Sequence, residues 1–134
     1  MLQKEQVREL FRNLETGHGD VFFARVRDDV SWTVMGTHPL AGTYSSKSDF
    51  LHATFERLNK ILNEGVVLKV VDAYVDGQVA IVEMQSLSTA VNGKPFDNRY
   101  CWVCTFDDNG LISKVRAYLD SALVASVIEE NEVR

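Results

Sequence analysis

Three turn signals cut the C-terminal half of the chain into regular pieces and restrict its fold more than any other feature. Asp76-Gly77, Asn92-Gly93 and Asp107-Asp108-Asn109-Gly110 interrupt a stretch, beginning at Val66, in which apolar and polar residues alternate with period two. Strands joined by turns this short are antiparallel neighbours, so residues 66–120 are expected to form a meander of four long strands.

Upstream the period is helical. Val7, Leu10, Phe11 and Leu14 recur at helix spacing within residues 3–15, and Gly17-His18-Gly19 ends that helix. A second short helix is expected to carry Phe22, Phe23 and Val26, and residues 30–35, VSWTVM, read as a strand. The loop that follows, GTHPLAGTYSSKS, holds two glycines and Pro39, and loops of this length inside a compact domain are often functional. Ser46 or Ser48 can cap the next helix, which runs through Phe50, Leu51, Phe55, Leu58, Ile61 and Leu62 to Gly65 and is expected to be the longest in the chain. The tail SALVASVIEENEVR reads as a final helical turn or two.

No Ser-, Gly- or Pro-rich linker separates these parts, and 134 residues suit one domain, 1–134. A sheet of this size has two faces, and the preceding helices can cover one. The expected class is therefore α+β: a curved antiparallel sheet wrapped around N-terminal helices. Apolar side chains left on the other face predict a homodimer formed through the outer face of the sheet.

Charge narrows the partners. With 14 Lys+Arg against 19 Asp+Glu, a net charge of -5 and no basic run, neither nucleic acid nor an anionic membrane would be attracted. Charged residues at positions 4, 5, 8 and 9 break the apolar stretch a signal peptide requires, and no apolar run approaches the ~20 residues of a membrane helix. A cytoplasmic location is the expectation. Cys101 and Cys104 form a C-x-x-C, but in the β-rich run NRYCWVCTF they point to opposite faces, and no second ligand pair stands at zinc spacing. They read as reduced structural thiols, with no metal and no cofactor expected.

The order of helix, short helix, strand, the loop WTVMGTHPLAGTY, long helix and a meander closing in GLISKVRAYLD resembles the SnoaL-like (polyketide cyclase-like) group. That group lies within the nuclear transport factor 2-like (cystatin-like) superfamily, which also holds ketosteroid isomerase and limonene epoxide hydrolase. The likeness spans nearly the whole chain, and its most specific pieces are Gly36 to Tyr44 and Gly110 to Asp120. It implies a cone whose inner cavity, between concave sheet and helices, takes a small apolar molecule such as a polyketide, steroid or terpenoid. It implies no particular reaction, because one fold hosts many chemistries.

The resemblance also assigns one parity inward. On that assignment Val79, Ile81, Glu83, Gln85 and Leu87 face the cavity, paired across the next turn with Asn98, Tyr100, Trp102 and Cys104. Val115, Ala117 and Leu119, with Trp32 and Val34, complete the set. The candidate ligand-binding residues are Trp32, Val34, Tyr44, Phe55, Ile81, Gln85, Asn98, Trp102, Ala117 and Leu119, a mostly apolar group with a few hydrogen-bonding members.

Glu83, His38 and Tyr100 are the candidate catalytic residues. A carboxylate among aromatics is desolvated toward a usable general acid or base. The alternative for Glu83 is a structural carboxylate, or an outer-face residue if the register differs by one. His38, beside Pro39 in the long loop, could exchange protons near neutral pH or only hydrogen-bond its own loop. Tyr100 and Trp102 could contact a ligand or serve as core aromatics. His18 and His52 read as a turn residue and a helix-surface residue. Arg116, Tyr118 and Asp120 have the opposite parity and belong to the outer face; reversed parity would make them the site.

Two named chemistries are disfavoured. Ketosteroid isomerase needs a carboxylate base on the strand corresponding to Ser31–Gly36 and a protonated carboxyl near Trp102, and neither is present. Limonene epoxide hydrolase uses an Asp-Arg-Asp set where this chain has Gln85, Glu83 and Ala117. Three classes remain: an isomerase, cyclase or lyase moving a proton next to a carbonyl, a non-catalytic binding protein for a hydrophobic metabolite, and a structural dimerisation domain. An open cavity separates the first two from the third.

Overall fold

The computed structural model describes residues 2–132. Helix α1 (Lys4–Arg12) buries Val7 and Phe11, one turn apart on its apolar face, and α2 (Gly19–Phe23) delivers Phe22 and Phe23 to the same core. Val26 opens strand β1 (Val26–Val34) rather than extending α2, so that strand begins earlier than its sequence pattern suggests. Its alternation buries Val30, Trp32 and Val34 and exposes Ser31. The loop beyond contains a short strand, β2 (Gly42–Tyr44), antiparallel to β1 with Trp32 opposite Tyr44.

Ser46 caps α3 (Lys47–Ala53), its hydroxyl accepting the Asp49 N–H at 3.1 Å. The single long helix expected here is broken in two: α3 ends at Thr54 (φ −120°, ψ −77°) and α4 (Phe55–Asn59) begins after it. Thr54 is buried, and its hydroxyl donates to the Phe50 carbonyl at 2.7 Å, competing with the helical ladder and bending the path.

The meander follows as β3 (Leu68–Asp76), β4 (Val79–Ser86), the small pair β5 (Ser88–Thr89) and β6 (Pro95–Phe96), then β7 (Arg99–Phe106) and β8 (Ile112–Leu119). The main sheet has the order β2-β1-β8-β7-β4-β3, antiparallel except where β1 runs parallel to β8. This is the curved α+β sheet expected. The tail is longer than expected: α5 (Ser121–Asn131), with 11 residues, is the longest helix among the described residues. Asp120 caps it by accepting the Leu123 N–H, and Val124, Val127 and Ile128 are buried.

One register sets the inner face. Across β4 and β7 the partners are Ala80–Cys104, Val82–Trp102 and Met84–Tyr100, so the even residues of β4 share the face of the even residues of β7. The turn explains it. A two-residue turn at Asn92-Gly93 would pair odd with even; the observed turn has three residues, Val91 to Gly93, with Ala90 N–H on Lys94 O, Gly93 N–H on Ala90 O and Gly93 at φ 90°. One extra loop residue turns every β4 side chain to the other face relative to the expectation.

The helices lie on the concave face over an aromatic core. Phe11, Phe22, Phe23, Trp32, Phe50 and Trp102 join in one cluster, with Phe11–Phe22 centroids 4.8 Å and Phe22–Phe23 5.0 Å apart. A second cluster, in which α5 packs Val124, Val127 and Ile128 on Leu40, Leu58, Ile61, Leu62 and Phe96, closes one end. No helix among the described residues is long and apolar enough to cross a membrane.

Candidate functional site

A cavity of about 40 Å³ lies between the concave sheet and the helices. The sheet contributes Trp32 and Val34 from β1, Tyr100 and Trp102 from β7, and Ala117 and Leu119 from β8. The opposite wall is Phe50, Thr54, Phe55 and Leu58 around the α3–α4 break, with Leu40, Val66, Leu68 and Val124 at the edges. Strand alternation puts the first six on one face, and the helix break turns Phe55 toward them.

The space is far below the roughly 300–1,000 Å³ of a typical small-molecule pocket. Aromatic side chains fill the rest: Trp32 stacks on Phe50 at 3.9 Å and 19°, meets Trp102 edge to face at 5.0 Å, and Phe55 stands edge-on to Phe23 at 5.1 Å. A pocket open enough for a multi-ring molecule is therefore not the resting arrangement.

The polar groups on this wall are few. Burial pushes the Tyr100 hydroxyl well above the ordinary phenol range, so it is a neutral donor rather than a base. Asn98 is buried and fixed by its oxygen, which accepts the Arg99 N–H at 2.8 Å and the Asp120 N–H at 3.1 Å. Its amide nitrogen has no partner, and neither do the indole nitrogens of Trp32 and Trp102 or the Ser86 hydroxyl.

The parity correction falls on Glu83, Ile81 and Gln85, which lie on the outer face. Glu83 is exposed, accepting from the Tyr74 hydroxyl at 3.3 Å, and lines no cavity wall. Leu87, read as inward, is 48% exposed. His38 is buried in its own loop: its Nδ1 accepts the Leu40 N–H at 3.1 Å and its Nε2 donates to the Met35 carbonyl at 2.9 Å. Both ring nitrogens are committed, so the imidazole holds the loop and reaches no ligand.

Tyr44 packs on Phe50 and donates to the Leu40 carbonyl at 2.8 Å, behind the wall rather than in it. The structure brings together Trp32, Val34, Phe55, Tyr100, Trp102, Ala117 and Leu119 and separates Glu83, His38, Tyr44, Ile81, Gln85 and Asn98 from the lining. Phe50, Leu58 and Val124 are wall residues that the sequence reading passed over. The first two stand in the apolar stripe after Ser46, and the third lies in the tail that reads as a final helical turn or two. Arg116 and Tyr118 take the outer face, and Asp120 is the α5 cap.

Among the described residues no cluster of metal-ligating side chains forms, and both cysteines are free, Cys104 buried and Cys101 half-buried on the other face.

Comparison with known proteins adds three findings. A sequence model of the SnoaL-like domain matches residues 7–115. Among curated proteins, the chain is 29% identical over 130 residues to the dimerizing cyclase phiC of Fungal sp. (strain ATCC 74256), covering 95% of this chain and 57% of that protein. It is 28% identical over 118 residues to the dimerizing cyclase tstC of Talaromyces stipitatus, covering 85% of this chain and 52% of that protein. The chain thus spans about half the length of these curated relatives. Among solved structures, an NTF2-like protein from Burkholderia thailandensis E264 superposes with a TM-score of 0.78 at 24% identity, over 95% of this chain and 98% of that one, a likeness of fold.

Proposed function

The chain belongs to the SnoaL-like domain family, and from that premise we propose a cyclase- or isomerase-type role for it, exercised on a small hydrophobic molecule held between the concave sheet and the helices. The observation that carries the reading is an apolar inner wall that buries hydrogen-bond donors without partners, at Trp32 and Trp102. The relatives named as cyclases support the same reaction class.

The chemistry follows from what the wall offers. Ring closure and rearrangement of an apolar molecule need its reacting ends held together, and confinement alone supplies much of that. Donors aimed at a carbonyl oxygen stabilise the negative charge that develops there in an enolising or cyclising step. Entry requires movement of the helical side, where Phe55 follows the α3–α4 break and α5 covers the edge through Val124.

The lining holds no carboxylate and no imidazole among the described residues, and this favours a second reading, a binding protein that holds such a molecule without converting it. Mass spectrometry of ketones, enones and lactones incubated with the protein in D2O separates the two. Protein-dependent deuterium uptake next to a carbonyl, or a mass-neutral rearrangement, is the expected result. Retention of compounds without turnover selects the binding protein. Neither turnover nor retention overturns both and leaves a dimerisation domain with a filled interior.

The homodimer belongs to this proposal. On the outer face Tyr74, Ile81, Glu83, Cys101, Val103 and Tyr118 form a mixed apolar surface, with Tyr74 and Tyr118 49% and 44% exposed. Aromatic residues are enriched at interface cores, and a second copy of the same sheet would cover them.

A further inference from the structure

We infer that the inner wall is a hydrogen-bond-donor site for the carbonyl oxygen of a compact, uncharged ligand, with the indole N–H groups of Trp32 and Trp102 as its donors. The inference rests on the reading of the cavity as a ligand site and narrows what that site accepts.

Buried polar side-chain atoms are nearly always paired, so each exception calls for a cause. Among the described residues four such atoms lack a partner: Trp32 Nε1, Trp102 Nε1, Asn98 Nδ2 and Ser86 Oγ. All four sit on residues no more than 3% exposed. Two of them, the indole nitrogens, belong to residues that line the cavity, and Asn98 and Ser86 stand outside the lining. Ser86 N–H donates to Asn98 O at 2.8 Å, which places these two on one rung of the concave face, beside the Met84–Tyr100 and Val82–Trp102 rungs. Trp32 joins from β1, its ring 5.0 Å from that of Trp102.

The sign of the group is uniform. An indole nitrogen and an amide nitrogen only donate, and a serine hydroxyl can do so. Tyr100, protonated by burial, adds another donor, while the Thr54 hydroxyl already spends its proton on the Phe50 carbonyl. The complement is an acceptor that brings no hydrogens of its own.

Charge and polarity then exclude the alternatives. No Lys, Arg or His lines the cavity, so a carboxylate would lose its hydration without a counter-charge. An amine would present donors to donors. A hydrocarbon would leave the indoles unpaired. Water accepts from the same donors, and an entering ketone displaces it. The carbonyl of a ketone, lactone or quinone meets every condition.

Trp32 and Trp102 are the chain's 2 tryptophans, so the two indole N–H signals of a ¹H–¹⁵N spectrum report on this site alone. The test titrates the protein with cyclohexanone and with methylenecyclohexane, which differ only by O for CH2. Both should enter, cyclohexanone about tenfold more tightly, the factor that one net hydrogen bond supplies. It alone should move the indole protons downfield. Trp102→Phe should remove most of that preference and leave methylenecyclohexane binding in place. Equal affinities with unmoved indole signals overturn the donor site and leave the cavity reading intact. Entry of neither compound overturns the cavity reading and the inference with it. The wild-type titration decides between these even if a tryptophan variant fails to fold.

Discussion

Arg57 closes on Glu132 through a two-pronged pair, Nε to Oε2 at 2.5 Å and Nη2 to Oε1 at 2.9 Å, and so ties α4 to the residue that follows α5. Three more bonds hold the same helix end to the tip between β5 and β6: Lys94 Nζ to Glu130 at 2.7 Å, Asn92 Nδ2 to the same carboxylate at 3.4 Å, and Asn92 N–H to Asn131 Oδ1 at 2.9 Å. Because α5 supplies Val124 to the cavity edge, these contacts also hold the cover of the cavity in place.

This arrangement makes the cover sensitive to acid. The hydrogen bonds from Arg57, followed by its charge, hold the Glu132 carboxyl below the ordinary carboxylate range against the opposing effect of burial. A lowered folded-state value means the contribution is complete above the unfolded value, about 4.3, and is lost as pH falls through the folded one. Hydrogen exchange of the α5 amides, corrected for intrinsic rates, should therefore show more opening below about pH 4 than at neutrality. Glu132→Gln should raise opening at neutral pH and flatten the pH dependence, at a cost of less than about 1 kcal/mol because the pair is partly exposed.

Adjacent residues on β4 should respond oppositely to substitution. Glu83 is exposed and Met84 is 1% exposed. Glu83→Gln should stay within about 0.5 kcal/mol of wild type in urea unfolding and leave ligand affinity unchanged. Met84→Ala should lose about 2–5 kcal/mol. A Glu83→Gln variant that lost ligand affinity would contradict the outward placement.

That contrast shows where the sequence is readable. Turn residues and period-two alternation locate the four long strands and their antiparallel order, because both signals are local. The face of each strand is not local. β4 reads Val-Ala-Ile-Val-Glu-Met-Gln-Ser, apolar on both parities, so only the pairing of Val82 with Trp102 decides it, and that depends on whether the turn before Lys94 has two residues or three. The helix break at Thr54 was hidden for a related reason, since a threonine inside an apolar stripe breaks a helix only where its neighbours pack to hold the bend. Trp32, Trp102, Ala117 and Leu119 were legible because the family resemblance assigned the inward parity of their strands, and there the register agrees with it.

Gly36 is predicted to be intolerant of a side chain. It sits at φ 116°, and a Cβ there would overlap Ser121 Oγ at the start of α5 and crowd His38. Gly36→Ala should cost about 1–3 kcal/mol from the backbone conformation alone. Ser121→Ala removes the overlap and not the backbone strain, so it should recover only part of the loss. Thermal unfolding of the two single variants and the double variant should give a coupling of at least about 0.5 kcal/mol; additive effects would mean that the loop and α5 do not share this contact.

The two cysteines provide a test of the outer face. Burial raises both thiols above their ordinary range, for Cys101 with a smaller contribution from the neighbouring Glu83 carboxylate, so each reacts slowly, and Cys104, fully buried, should react only on unfolding. Cys101 stands between Glu83 and Tyr118 in the sheet register, in the middle of the surface assigned to the second copy. Iodoacetamide labelling followed by peptide mass spectrometry should therefore modify Cys101 alone in dilute native protein. Its rate should fall as concentration rises, with the same midpoint that sedimentation gives for dimer formation. A sedimenting dimer with an unchanged Cys101 rate would move the interface to another surface. A monomer at every concentration would remove the homodimer from the proposal and leave Tyr74 and Tyr118 as exposed outer-face residues.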